Sequence, residues 1–271
     1  MPFFPLSNIN DSKGYCKVHN FSPNNWEKAS QEDKDLWAIF SDGNKWKTQF
    51  ITNLKQGESK TVCYDEFNLN YNHSYSPIVI LQLRKTPLAE YIENLPPHEF
   101  KYTKTPEWRA TVGFKYLNTS TSYQGEINPF PKTASLLTFH PFIQYNDIEN
   151  YLVFINLEAI PKFRYSKIEI YNSNNLKFID EIKIRNNSTN VIPLNRYGFK
   201  PEELPAFICR DMAGIPFGFG LNRNAPMLSL EHTHPPGSLT VHGNRFKSQK
   251  NIKTKWFHDS SSDRIQNVSK T

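Results

Sequence analysis

Short apolar segments recur along this chain at intervals of roughly 8–12 residues, the rhythm of strand, turn and strand. WKTQFITNL, from Trp46, alternates between two faces, and SKTVCYDEF follows it after the turn QGE. SPIVILQLRK reads as a buried strand, and WRATVGFKYL, ASLLTF and YLVFINLE read as further strands. The clearest hairpin is YSKIEIY, the turn NSNN, then LKFIDEIKI: Ile168 and Ile170 share a face, and Asn tolerates the left-handed backbone of a tight turn. NVIPL, AFICR, IPFGFG, MLSLEHTH and SLTVH complete the series. No amphipathic helices alternate with these segments, so the pattern argues for antiparallel sandwiches or barrels and against βαβ units.

The expected architecture is therefore all-β, with two tandem antiparallel β-sandwich-like domains over 46–148 and 149–244. The polar, turn-rich QYNDIEN, near 145–150, reads as the boundary between them. Residues 1–45 read as irregular with one short helix: Ser30 caps it, Asp33 follows, and DKDLWAIF sets Leu36, Ile39 and Phe40 on one face. Residues 245–271 read as a basic tail, with a helical turn that docks Trp256 or Phe257 on the second domain and a frayed end. A weak internal echo fits a duplication: SLLTFHP from Ser135 resembles SLEHTHP from Ser229, each downstream of a Leu-Pro.

Composition excludes several classes. The 271 residues are 38% hydrophobic and 14% aromatic, too rich for a disordered chain and unlike a coiled coil or collagen. Lys and Arg number 32 against 26 Asp and Glu, and a net charge of +6 is too mild for a chain that lives on nucleic acid. Gln82 interrupts the longest apolar run, 78–83, so no membrane-spanning helix is expected. The opening MPFFPLSNIN has neither a basic start nor an apolar core, so a cytoplasmic location without a signal peptide is expected. Cys16, Cys63 and Cys209 are far apart and form no Cys-x-x-Cys, which argues against a disulfide framework or a cysteine zinc site. Cys16 and His19 make a lone Cys-x-x-His, and Asn118 and Asn187 head Asn-x-Ser/Thr triplets of the kind an Asn-rich chain carries by chance.

One constellation carries metal chemistry. His232, His234 and His242 crowd into EHTHPPGSLTVHGNR. Strand alternation puts His232 and His234 on one face with Leu230, and Glu231 on the other. A Pro-Pro-Gly turn would return the chain with His242 diagonal to His232. Three imidazoles so placed suit a divalent transition metal with an open position for water or substrate. The His-x-His in an all-β chain resembles the first motif of the cupin barrels, although no Glu follows His234. His-Thr-His-Pro also resembles the core of metal-dependent deubiquitinase-type proteases, whose Ser-x-x-Asp is absent after Ser238. Each resemblance spans only this short stretch. The bland reading is a hydrogen-bonded histidine cluster, because His140 precedes a Pro in the first copy just as His234 does in the second.

Weaker candidates complete the reading. TSTSYQGEIN, 119–128, reads as a polar ligand loop offering Tyr123 and Glu126, the latter also a spare carboxylate for the histidines. Trp26, Trp37 and Trp46 suit a stacking platform for a sugar or base, or a core. Arg245 begins a run of five cations that could meet a polyanion. No complete catalytic set is visible. The expected function is a non-catalytic binding or structural protein for a glycan, an envelope component or a protein partner. The alternatives are a three-histidine metal enzyme and a polyanion-binding module.

Overall fold

A computed structural model describes residues 3–20, 32–69, 75–97, 110–130, 132, 135–137, 147–172, 175, 177–200 and 205–232. Eighteen strands are present among them. The first nine are β1 (Phe4–Leu6), β2 (Lys13–His19), β3 (Lys34–Ser41), β4 (Trp46–Leu54), β5 (Ser59–Cys63), β6 (Tyr75–Pro77), β7 (Val79–Arg84), β8 (Tyr91–Ile92) and β9 (Ala110–Tyr116). Then come β10 (Thr119–Gly125), β11 (Ser135–Leu137), β12 (Ile148–Asn156), β13 (Tyr165–Asn172), β14 (Phe178–Arg185), β15 (Ser188–Pro193), β16 (Pro205–Cys209), β17 (Ile215–Asn222) and β18 (Met227–His232). Single 3-10 turns at Tyr64–Phe67 and Asn195–Tyr197 are the only helical elements among the described residues. The fold is all-β.

Four antiparallel sheets run β1-β7-β3-β4-β8, β10-β9-β2-β5, β11-β16-β13-β14 and β18-β17-β12-β15-β6. We call them the B, D, F and E sheets. Three buried clusters join them. The first takes Leu36, Ala38, Val79, Leu81 and Leu83 from B, and Cys16, Val18, Val62 and Val112 from D. The second takes Ile39, Trp46 and Ile80 from the other face of B, and Tyr151, Val153, Ile155, Phe217 and Phe219 from E. The third takes Leu152, Phe154 and Ile192 from the opposite face of E, and Ile168, Ile170 and Phe207 from F. The sheets therefore stack D, B, E, F, and the two inner ones are covered on both faces. Beside this stack D also reaches E directly, with the Phe114 and Phe219 rings 5.7 Å apart.

Pairing along the chain is not strictly sequential. β6 joins the edge of the E sheet against β15, with Pro77 opposite Ser188, although β7 lies in B. β11 pairs with β16 in F. The echoed segments thus fall in different sheets, Ser135 in F and Ser229 in E. β12 begins at Ile148, inside the stretch read as a linker.

Two expectations are corrected. DKDLWAIF is not a helix: Lys34–Ser41 is strand β3, paired with β4 and β7. Leu36, Ala38 and Phe40 enter the first core while Ile39 enters the second, so both faces are apolar and the run fits any period. The stretch at 119–128 is not a loop over most of its length: Thr119–Gly125 is β10, paired residue by residue with β9. Its inward positions are Thr119, Thr121 and Tyr123, whose β-propensity outweighs their modest hydropathy. The basic tail and its expected helical turn lie outside the described residues, as do Trp26 and the polar end at 143–146.

Backbone approaches are tight where the first cluster closes. A Cβ on Gly14 would stand 1.8 Å from the Ser7 carbonyl oxygen, so β2 passes β1's exit only because position 14 has no side chain. Asn8 fastens the same spot by accepting the Gly14 N–H at 2.7 Å.

Candidate functional site

The sequence-derived metal site is reached only at its first residue. His232 is the last residue of β18 and stands opposite Phe217 in register. Leu230 packs on the second cluster and Glu231 is exposed, as alternation requires. His234, His242 and Arg245 lie outside the described residues. Among the described residues no group of three His, Cys, Asp or Glu side chains is placed to hold a metal ion.

The other sequence candidates are dispersed. Tyr123 packs into the first two clusters, with its ring 4.8 Å from that of Phe217. Burial raises its phenol well above the ordinary range. Glu126 follows β10 on the exposed side. Trp46 is fully buried, and its indole N–H donates to the Ala159 carbonyl at 3.2 Å. Trp37 is half-buried, edge-on to the exposed Phe50 with ring centres 5.6 Å apart. Cys16 and His19, three apart on a strand, face opposite ways. Cys16 is in the core with its thiol pushed up by burial, and His19 pairs with the Ser59 hydroxyl at 2.6 Å. Asn187 is buried, accepting the Glu158 N–H and donating to the Ile160 carbonyl, so its triplet is structural, whereas Asn118 is exposed.

Among the described residues, a cleft lies at one end of the E sheet. It measures about 610 Å³ and is lined by Asp147, Glu149, Tyr151, Asn195, Arg223 and Asn224, with Ile148 and Pro193 beside them. β12 supplies Glu149 and Tyr151 two residues apart and hence on one face. β17 ends at Asn222, so Arg223 enters from the turn to β18, and the Asn222 side chain holds that turn by accepting the Asn224 and Ala225 N–H groups at 2.8 and 3.1 Å. Asn195 sits in the 3-10 turn after β15. It accepts the Asn150 N–H at 2.6 Å and donates to the Ile148 carbonyl at 2.9 Å, which pins the cleft wall to β12.

Arg223 organises the charges. Its Nε donates to Glu149 Oε1 at 2.6 Å, and its Nη1 lies 3.4 Å from Asp11 Oδ2 in the turn between β1 and β2. Tyr151 donates its phenol proton to the other Glu149 oxygen. Partial burial works to raise the Glu149 pKa, but the hydrogen bonds from Arg223 and Tyr151 outweigh it and hold the carboxyl below its ordinary value. Burial, then the bond to Glu149, pushes Tyr151 up to about 12. Hydrogen bonds to Glu149 and Tyr151 raise Arg223 further. At neutral pH every one of these groups is fixed in one protonation state: carboxylate, phenol and guanidinium. The arrangement presents fixed donors and acceptors.

Sequence reading missed this cleft. Glu149 was read into the polar boundary ahead of the strand that starts at Tyr151, and Arg223 is 74 residues from Glu149 in an Asn-rich turn with no motif of its own. A search for related proteins finds no match to a protein-family model, a curated protein or a solved structure.

Proposed function

We propose that this chain is a non-catalytic recognition protein built as two β-sandwiches packed in tandem, D on B and E on F, with a glycan bound in the cleft around Arg223. The observation that carries the reading is the cleft's fixed set of polar groups. Sugar hydroxyls both donate and accept, and the cleft offers carboxylate acceptors at Asp147 and Glu149, guanidinium donors at Arg223, and the amide of Asn224, beside the ring of Tyr151. Planar side chains of this kind can bridge neighbouring hydroxyls bidentately. The three clusters that lock the sheets together support a rigid scaffold under the site.

Calorimetric titration of the full chain with a panel of neutral oligosaccharides tests this. The expected result is saturable binding that Arg223→Ala removes while the thermal transition stays cooperative. Binding unchanged in Arg223→Ala, or no binding by any oligosaccharide, overturns it. Turnover of a bound oligosaccharide that Glu149→Gln abolishes would replace recognition by hydrolysis.

A further inference from the structure

The described arginines find different partners, and Arg84 donates to Gln82 Oε1 and to the Thr86 and Pro97 carbonyls. Arg164, Arg196, Arg210 and Arg223 each meet a carboxylate, on Glu158, Asp180, Glu169 and Glu149 respectively. Arg185, at the end of β14, meets none among the described residues. Its partners are aromatic instead: the guanidinium carbon lies 4.5 Å from the Tyr75 ring centre and 4.2 Å from that of Phe163. Its Nε donates to Ser188 Oγ at 2.8 Å, which fixes the plane of the fork. Its guanidinium also hydrogen-bonds the Tyr165 phenol, and its Nη2 is buried against the rings.

A second cation stands beside it. Lys183, two residues earlier on β14 and therefore on the same face, holds its Nζ 3.9 Å over the ring of Tyr165. Tyr165 is opposite Arg185 in register and packs edge-on to Tyr75 at 6.1 Å. Lys183 has no carboxylate partner among the described residues, and the residue opposite it is another cation, Lys167, which is taken by Glu181. Tyr165 is 46% exposed and Lys183 is exposed, so the cluster opens to solvent on this side. Two cations thus share one aromatic frame with no carboxylate paired to either among the described residues. Burial lowers the Arg185 pKa, as expected for a cation stripped of water without a carboxylate in exchange.

The geometry points to an oxyanion site: Arg185 and Lys183, framed by Tyr75, Phe163 and Tyr165, take a sulfate or phosphate group. The aromatic frame keeps the guanidinium edge oriented and weakly hydrated, the condition under which Arg grips a tetrahedral oxyanion, and Lys183 adds a mobile point charge. This site is separate from the Arg223 cleft and stands whether or not that cleft binds a glycan.

Titration of the full chain with inorganic sulfate and with phosphate, against chloride at matched ionic strength, tests it. The readouts are calorimetric heat and the chemical shift of the Arg185 Nε–H. Sulfate raises the thermal midpoint of most proteins, so midpoints alone decide nothing. The expected result is saturable binding of both anions in the wild type, weakened roughly tenfold in Lys183→Gln, the loss of about one charge-assisted hydrogen bond. Lys183 is exposed, so this variant keeps the fold even if Arg185→Gln does not. A sulfated oligosaccharide that outcompetes inorganic sulfate, while its desulfated form does not, assigns the group to a glycan; equal competition by free phosphate assigns it to a small anion. No saturable heat in the wild type, or equal affinity in Lys183→Gln and a Lys17→Gln control, overturns the site and leaves the cluster as the clasp that holds β6 to the β13–β14 hairpin.

Discussion

β7 and β10 are both antiparallel strands of similar length, yet one is buried at every position and the other alternates half-buried with exposed. β7 lies in the inner B sheet, where Val79, Leu81 and Leu83 fill one core and Ile80 fills another. β10 edges the outer D sheet and sends only alternate residues inward. The difference is one of covered faces: a sheet enclosed by two neighbours needs apolar residues at consecutive positions, whereas a sheet with one wet face needs them at every second one. β3 and β12 follow β7 in serving two clusters.

The comparison predicts a graded response to mutation. Phe154→Ala, on the inner E sheet at no exposure, should cost about 3–5 kcal/mol in urea denaturation, and Ile80→Ala about 2–5. A cost below about 1 kcal/mol for Ile80→Ala would mean that the second face of β7 is not truly enclosed. Gly14→Ala should follow at about 1–3 kcal/mol, because its methyl group would strike the Ser7 carbonyl. Ser122→Ala, on the exposed face of β10, should stay within about 0.5 kcal/mol of wild type, and a larger loss would show that this face is covered.

Alkaline titration sharpens the same contrast without opening a cavity. Tyr151 in the inner E sheet and Tyr171 in the outer F sheet are both pushed up to about 12, first by burial and then by hydrogen bonds to Glu149 and Glu169. The folded state thus holds both phenol protons more tightly than the unfolded chain, whose tyrosines titrate near 10. Their contribution to stability is complete below pH 10 and is lost as pH rises through 12. Urea midpoints should fall over that window, and Tyr151→Phe and Tyr171→Phe should each flatten the decline. A decline that only Tyr151→Phe flattens would show that Tyr171, fully buried in an outer sheet, titrates as though exposed.

These results also show what hydropathy alone reads well and badly. The hairpin of β13 and β14 was legible because its turn residues and alternation are adjacent in the chain. β3 was read as a helix because Leu36, Trp37, Ala38, Ile39 and Phe40 are apolar without a break, and an unbroken run carries no period. β10 was read as a loop because Thr119, Thr121 and Tyr123 mark its inward face by shape and β-propensity more than by hydropathy. The histidine motif stood out by residue type, while the Arg223 cleft and the Arg185 cluster have no motif at all.

By itself, then, the sequence determined the all-β class, the antiparallel character of the sheets and the positions of many turns. These follow from side-chain alternation and from the backbone freedom of Asn, Gly and Pro, which act over a few residues. Only the tertiary structure decided which faces meet, that β6 crosses to pair with β15, and that Asp11, Glu149 and Arg223 share one network. Those outcomes depend on the packing of whole sheets, a competition among many apolar faces of similar composition, and on charges brought together from distant turns. No local pattern encodes that competition, because its terms are contacts between residues far apart in the chain.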